Sequence, residues 1–255
     1  MTSERLTREL TALRTTAPDG LRGRILEATG TACRFAVLDG PIGRLAVFFN
    51  DRGITGCAPL EHFDEYVAAH DLGHTIEVDE LPRALAGRTR RALETGRLKD
   101  LPVDLSGLSD FQQDVLRTTA TIPPGEIRPY GWIAAAIGRP GAVRAVGSAL
   151  NKNPVPVLIP CHRVSKSDGH VGNYAYGPQM KRALLSAEGL DPDAAESLAD
   201  RNVRYTGSDT THIYCHPSCH AAQRTKVSHT VEFKSAGDAR KRGYRPCKLC
   251  RPAAA

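Results

Sequence analysis

Leu6, Leu10 and Leu13 recur at helical spacing and predict a short amphipathic helix over residues 3–14, ended by Pro18-Asp19-Gly20. The pattern changes at Cys33. The apolar runs Phe35–Leu38 and Leu45–Phe49 are separated by Asp39-Gly40-Pro41-Ile42-Gly43 and followed by Asn50-Asp51-Arg52-Gly53. They predict strands joined by tight turns, and so a small antiparallel sheet. Residues 61–70 and 82–95 return to helical spacing, and residues 101–108 read as a polar connection.

Ser109 and Gln112 occupy capping-box positions ahead of a helix with Phe111, Val115 and Thr119 on one side, which Pro123-Pro124-Gly125 ends. Pro129 suits the first turn of a further helix with Ile133 and Ile137 on its inner face, stopped by Gly138-Arg139-Pro140-Gly141. In the helix that follows, Val143, Val146 and Leu150 form the apolar side, while Arg144, Ser148 and Asn151 share the other. Two short helices joined by a Gly/Pro turn predict a helix-turn-helix whose small exposed residues let backbone approach DNA closely.

Composition changes this picture little: 41% hydrophobic and 24% charged residues in a chain of 255 are those of an ordinary globular protein. No apolar run reaches membrane-spanning length and no segment reads as an export signal, so a cytoplasmic location is expected. Charge changes it more. Residues 201–255 carry 11 Lys or Arg against 3 Asp or Glu, and residues 111–190 carry 9 against 4, while the first 110 are mildly acidic. Two basic modules suit nucleic-acid phosphates, although solvated surface charge gives the same count. Residues 191–201, acidic and weakly apolar, read as a linker.

Seven cysteines, an odd number, argue against a disulfide scaffold. Cys215 and Cys219, then Cys247 and Cys250, form two close pairs suited to one tetrahedral Zn2+, a staple for a basic segment with little apolar content. His212, His216, His220 and His229 are rival ligands that read as solvated side chains once four cysteines suffice, and Cys33 and Cys57 read as small core residues. Cys161 differs, standing in a Pro-flanked extended segment next to His162. A nucleophilic thiolate needs such a neighbour, whereas a bare Cys-His pair can equally be a buried cysteine beside a chance histidine.

The run Asn153-Pro154-Val155-Pro156-Val157-Leu158-Ile159-Pro160-Cys161-His162-Arg163-Val164 resembles the active-site signature of the O6-alkylguanine-DNA alkyltransferases. Residues 111–189 follow that family throughout, through Ile122-Pro123-Pro124-Gly125-Glu126, Tyr130, Arg144-Ala145-Val146-Gly147, Gly172-Asn173-Tyr174 and Leu184-Leu185-Ser186-Ala187-Glu188-Gly189. The Asp39–Gly43 turn and its hairpin resemble the family's ribonuclease-H-like N-terminal domain. The resemblance implies a monomer that transfers a methyl or other alkyl group from O6-alkylguanine, and O4-alkylthymine, in double-stranded DNA irreversibly to Cys161. It implies His162 as a water-mediated base, Glu188 as its orienting carboxylate, Asn153 as the residue that orders the hinge, and Tyr130 beside the flipped guanine. Arg144 would fill the gap in the base stack, with Ala145, Gly147, Ser148 and Ala149 at the minor groove. Pro156, Val164, Tyr174, Ala175 and Tyr176 would line the pocket, where the bulk of Tyr176 bears on the size of adduct admitted.

Ser208–Cys219, Phe233–Ala239 and Gly243–Pro252 resemble the zinc domain of the Ada adaptive-response proteins. There the first cysteine of the set accepts methyl from DNA methylphosphotriesters, which implies Cys215 here, followed by His216 where Arg is usual. A structural zinc module is the alternative for this segment, and a non-enzymatic damage binder the alternative for the whole chain. The expected architecture is α+β. Residues 1–108 form a ribonuclease-H-like domain with its N-terminal helix, 109–190 a winged helix-turn-helix alkyltransferase domain, 191–202 a linker, and 203–255 an Ada-type zinc domain.

Overall fold

The apolar runs and turns that begin at Cys33 fold into β1 (Ala32–Gly40), β2 (Gly43–Asn50) and β3 (Gly53–Pro59), paired antiparallel as expected. This is a computed structural model, and it describes Ile25 and residues 32–252; the helix expected over residues 3–14 lies outside them. A fourth strand, β4 (His74–Glu77), joins β1 in parallel, giving the order β3-β2-β1-β4. Side chains alternate across the sheet. Leu45, Val47 and Phe49 enter the main core with α2 (Arg83–Thr95), while Phe35, Ala46 and Phe48 pack on Tyr66 of α1 (Phe63–Ala69). Complete burial of a side chain such as Leu45 or Phe48 stabilises by ~1.5–3 kcal/mol. Cys57 sits in this core, and burial pushes its thiol up to about 12.

The capping box forms at α3 (Asp110–Thr119): Ser109 Oγ accepts from the Gln112 N–H, and the Ser109 N–H donates to Gln112 Oε1. Such a cap stabilises by about 1 kcal/mol. Pro129 lies one position earlier than expected. It is the extended N-cap of α4 (Tyr130–Ala136) because β5 (Arg128–Pro129) pairs in parallel with β6 (Val164–Ser165). In α5 (Val143–Asn151), Val146, Ala149 and Leu150 are buried. Val143, expected on the apolar side, is 38% exposed because the first turn projects beyond the core, and Ala149 faces inward rather than toward a groove.

α6 (Pro178–Ala187) follows the cysteine segment. The stretch expected as a linker is a helix, α7 (Pro192–Asp200), capped by the Asp191 carboxylate on the Asp193 and Ala194 N–H groups. Its acids have structural tasks: Glu196 accepts from the Val171 N–H and pairs with His170. The remaining chain forms a second sheet, ordered β10-β8-β7-β9, from β7 (Tyr205–Ser208), β8 (Ile213–Cys215), β9 (Thr230–Phe233) and β10 (Arg245–Pro246). With α8 (His220–Gln223) and α9 (Ala236–Lys241), it encloses a small core of Tyr214, Phe233, Ala239 and Tyr244. Gly207 is required there, since a Cβ would stand 2.9 Å from the Phe233 ring. Among the described residues, no helix is long and apolar enough to cross a membrane.

Candidate active site and metal centre

The segment between α5 and Cys161 is held from within and from the first sheet. Asn153 is buried, its amide donating to the Ile159 carbonyl (3.0 Å) and to Cys161 Sγ (3.2 Å), while its Oδ1 accepts from the Val155 N–H (3.0 Å). The next carbonyl, of Pro154, accepts from the Cys57 N–H of β3 and from the Tyr66 hydroxyl. Val157 is thereby kept at φ +71, a costly conformation for a β-branched residue.

Cys161, His162 and Arg163 form one turn of 3-10 helix. That curvature removes the divergence of adjacent side chains on an extended strand. Burial pushes the Cys161 thiol up, opposed by the Asn153 N–H and by the nearby Lys181 ammonium. His162 is buried with Nε2 2.9 Å from Glu188 Oε1, and its Nδ1 has no hydrogen-bond partner among the described residues. Burial lowers the His162 pKa although Glu188 pulls it the other way. Burial would raise Glu188, but the bonds from His162 and Arg163 outweigh it and hold the carboxyl at about 2. An ionised Glu188 can only accept, so Nε2 carries the proton and Nδ1 keeps a lone pair.

Two buried charged side chains beside the cysteine segment escaped the sequence reading. Arg163 is 1% exposed, with Nε 2.9 Å and Nη2 2.6 Å from the Glu188 oxygens and further bonds to the carbonyls of Ile122 (2.6 Å) and Gly96 (2.7 Å). Lys181 is buried with Nζ on the carbonyls of Val164 (2.6 Å), Val171 (2.7 Å) and Asn173 (3.2 Å), and burial lowers its pKa to about 8. The available signal was a lysine next to Met180 and before Leu184, on the apolar side of α6.

The other expected residues divide into those that meet and those that do not. Tyr130 is half-buried, packed where a Cβ on Gly147 would touch it at 3.8 Å. The Tyr174 ring stands edge-on to His162 at 6.2 Å, its buried hydroxyl without a partner among the described residues, and Tyr176 lies 5.7 Å beyond it. Ala175 is exposed beside them and Pro156 is buried. Arg144, Ala145 and Ser148 are exposed on α5. Val164 lines no opening: it is 0% exposed in the main core, and β6 pairing keeps it there.

The second constellation is the thiol cluster. The sulfurs of Cys215, Cys219, Cys247 and Cys250 all lie within 4.8 Å of one another, and all four residues are buried. Tetrahedral zinc at ~2.3 Å from each sulfur needs separations of roughly 3.8 Å, so the set fits the ion. Cys215 also lines a cavity of about 350 Å³ with Thr206, Thr211, Arg245 and Lys248. His216, expected to be solvated, is 5% exposed and packs against the Tyr205 ring outside the thiol cluster.

Residues 110–190 match the family described as 6-O-methylguanine DNA methyltransferase, DNA binding domain, and residues 195–253 match the metal binding domain of Ada. The methylated-DNA–protein-cysteine methyltransferase of Mycolicibacterium paratuberculosis is 39% identical over 170 residues, covering 65% of this chain and 98% of that protein. The chain belongs to the methylated-DNA–protein-cysteine methyltransferase family. The Mycobacterium tuberculosis OGT crystallised with DNA shares 34% identity with this methyltransferase at a TM-score of 0.51, over 64% of this chain and 98% of that one. The mixed α+β fold is thus similar to that of the OGT alkyltransferases. The Escherichia coli bifunctional transcriptional activator/DNA repair enzyme Ada is 37% identical over 164 residues, 62% of the methyltransferase chain and 46% of Ada's own length. The methyltransferase carries, in addition, an Ada-type zinc domain whose four buried cysteines are suited to the metal.

Proposed function

We propose that the protein repairs DNA in the cytoplasm, as a monomer, by moving the alkyl group of O6-alkylguanine, and of O4-alkylthymine, to Cys161 once per molecule. The observation that carries this reading is the convergence of His162 and Arg163 on Glu188 beside a thiol anchored by Asn153. In this reading His162 Nδ1 takes the thiol proton through a water, a step favoured by a buried imidazole that is neutral beforehand. The sulfur attacks the alkyl carbon, the S–C bond forms, and the C–O6 bond breaks with its electron pair left on guanine. The proton returns from His162 to the base. A thioether is no leaving group at neutral pH, so the protein does not turn over.

A buried thiol cannot reach the alkyl group on guanine O6 while the base is stacked in a duplex, and extruding a damaged base costs a few kcal/mol. Exposed Arg144 fills the vacated stack, and Ala145, Gly147 and Ser148 let α5 approach the backbone. Tyr130, Tyr174, Ala175, Tyr176 and Pro156 form the walls around the flipped base. The sheet order β3-β2-β1-β4 supports a ribonuclease-H-like reading of the chain up to residue 108, and α3 to α5 with the β5–β6 pair support a winged helix-turn-helix over 109–190. Residues 203–255 make the third domain. Bound zinc keeps its cysteines as thiolates, and Cys215, facing a cavity with Arg245 and Lys248, is placed to accept methyl from a phosphotriester.

Intact mass and peptide mapping after mixing with O6-methylguanine duplex test the reading. One methyl on Cys161 is expected, and Cys161→Ser should bind DNA yet gain no mass on that peptide. Continued methyl uptake by Cys161→Ser from O6-methylguanine overturns the assignment.

A further inference from the structure

The eight residues from Gly125 to Trp132 face two ways. Toward the thiol nucleophile, the Gly125 N–H donates to Glu188 Oε2 (3.2 Å), Arg128 pairs with Val164 just after the Cys161 turn, and Tyr130 opens α4. Toward the zinc cysteines, Glu126 Oε1 accepts from the His220 N–H (2.9 Å), and Ser218 Oγ accepts from the Ile127 N–H (2.9 Å) and donates to its carbonyl (3.2 Å). The Trp132 indole N–H then donates to the carbonyl of Cys250 itself (2.9 Å). The two sets of contacts alternate along one short stretch of backbone.

This contact is not a loose touch between separate modules. Glu126 is 6% exposed and forms an ion pair with the buried Arg128, whose guanidinium lies over the Trp132 ring. Ser218 stands next to ligand Cys219, and His220 follows it. Undocking would expose the buried Trp132 ring to water and exchange the Ile127–Ser218, His220–Glu126 and Trp132–Cys250 hydrogen bonds for bonds to water, and both changes oppose it. With Cys219 and Cys250 fixed by a common metal, the Ser218–His220 turn and the Cys250 carbonyl present a rigid surface to the segment that bears Tyr130 and supports Glu188.

We infer that the zinc domain is a working part of the alkyltransferase: Ser218, Trp132 and Glu126 are positioning residues that transmit the metal-held geometry to the Cys161 site. The inference rests on the proposed transfer to Cys161. It makes metal retention and alkyl transfer quantities that one contact controls together.

The full-length chain carries its own probe, since Trp132 is its one tryptophan. Ser218→Ala keeps all four zinc ligands, and Ser218→Thr restores the hydroxyl. Ser218→Ala should retain one zinc per chain, shift Trp132 emission to the red, release zinc faster to a chromogenic chelator, and lower the maximal single-turnover rate by about tenfold, inside the roughly 100-fold that a misplacement of about 1 Å can cost. The DNA concentration at half-maximal rate should stay unchanged, and Ser218→Thr should recover rate and emission together. A Ser218→Ala protein with red-shifted emission and accelerated zinc release but an undiminished transfer rate overturns the inference, as does unshifted emission with unchanged zinc release. If the unsubstituted chain transfers nothing to Cys161, the proposed function itself fails, while emission and zinc release still report whether docking depends on the metal.

Discussion

His162 and Glu188 are separated by 26 positions in sequence and by 2.9 Å in space, Nε2 to Oε1. The same carboxylate closes on Arg163, so one side chain fixes an imidazole tautomer and neutralises a buried guanidinium. Orientation of the imidazole and integrity of the fold therefore meet in a single residue, and its removal has two separable effects.

Glu188→Gln should cost about 3–5 kcal/mol, because Arg163 stays buried without a counter-charge, and should slow methyl transfer. The pH dependence has a definite sign. The Glu188 pKa falls from 4.5 to about 2 on folding, so its contribution is complete above 4.5 and is lost as pH drops toward 2. His162, lowered from 6.5, acts in the same direction, because the unfolded chain binds its proton first. In a His162→Phe background, which removes the imidazole whose own pKa depends on Glu188, urea unfolding at pH 7, 5 and 3 should show a steeper acid loss with Glu188 than with Glu188→Gln. Parallel curves would contradict the assignment.

Arg144→Ala removes an exposed side chain from α5 and should leave the melting temperature within the scatter expected of surface changes, ~0.5 kcal/mol. Repair of O6-methylguanine in paired duplex should slow several-fold. In single strands, where no stack needs filling, the rate should hardly change. Equal loss on both substrates would count against a role in the stack.

Gly96 and Gly87 form an internal comparison. Gly96 ends α2 at φ +62, and a Cβ there would stand 2.6 Å from Arg163 Nη2; one on Gly87 would meet nothing within 4 Å. Gly96→Ala should destabilise by about 1–3 kcal/mol through backbone strain and displacement of the guanidinium, with slower transfer. Gly87→Ala should stabilise by about 0.5–1 kcal/mol with unchanged transfer. Thermal melts and single-turnover rates on both variants decide it.

Methylation of Cys215 should tighten binding to undamaged duplex. Zinc with four thiolates is formally about −2, and one thioether leaves about −1, beside a surface bearing Arg245 and Lys248. The gain should shrink with salt. Affinity of the full chain, measured before and after exposure to methylphosphotriester DNA at two salt concentrations, tests it; no methyl on Cys215 with zinc in place would make the cluster purely structural.

Much of this molecule is legible in sequence where the determinant is local. The apolar runs Phe35–Leu38 and Leu45–Phe49, set off by the Asp39–Gly43 and Asn50–Gly53 turns, marked the antiparallel sheet, and Ser109 with Gln112 marked the start of α3, because turn and cap depend on neighbours a few residues away. His74–Glu77 is too short and mixed to stand out as a strand without β1 beside it. Acidic residues 191–200 look like a linker until Asp191 is seen capping a helix. The cysteines declared themselves by spacing. Arg163 and Lys181 did not: the fold brings Gly96, Ile122 and Glu188 to Arg163 and the carbonyls of Val164, Val171 and Asn173 to Lys181, and beyond the place of Lys181 on the apolar side of α6 no periodicity announces a buried charge. The alignment of Trp132 on Cys250 joins residues 118 positions apart and has no local signature at all.

The Pro154 carbonyl shows what such distant pairing means for modularity. Both of its donors, the Cys57 N–H and the Tyr66 hydroxyl, lie on the far side of residue 108, outside the stretch that carries the whole alkyltransferase signature. A fragment cut at that boundary would preserve every residue of the signature and yet strip the cysteine hinge of its anchorage. The stretch recognisable by motif is smaller than the stretch that holds its own backbone in place, and an N-terminal portion exchanged from a relative would have to bring both a strand N–H and a helix hydroxyl to that one oxygen.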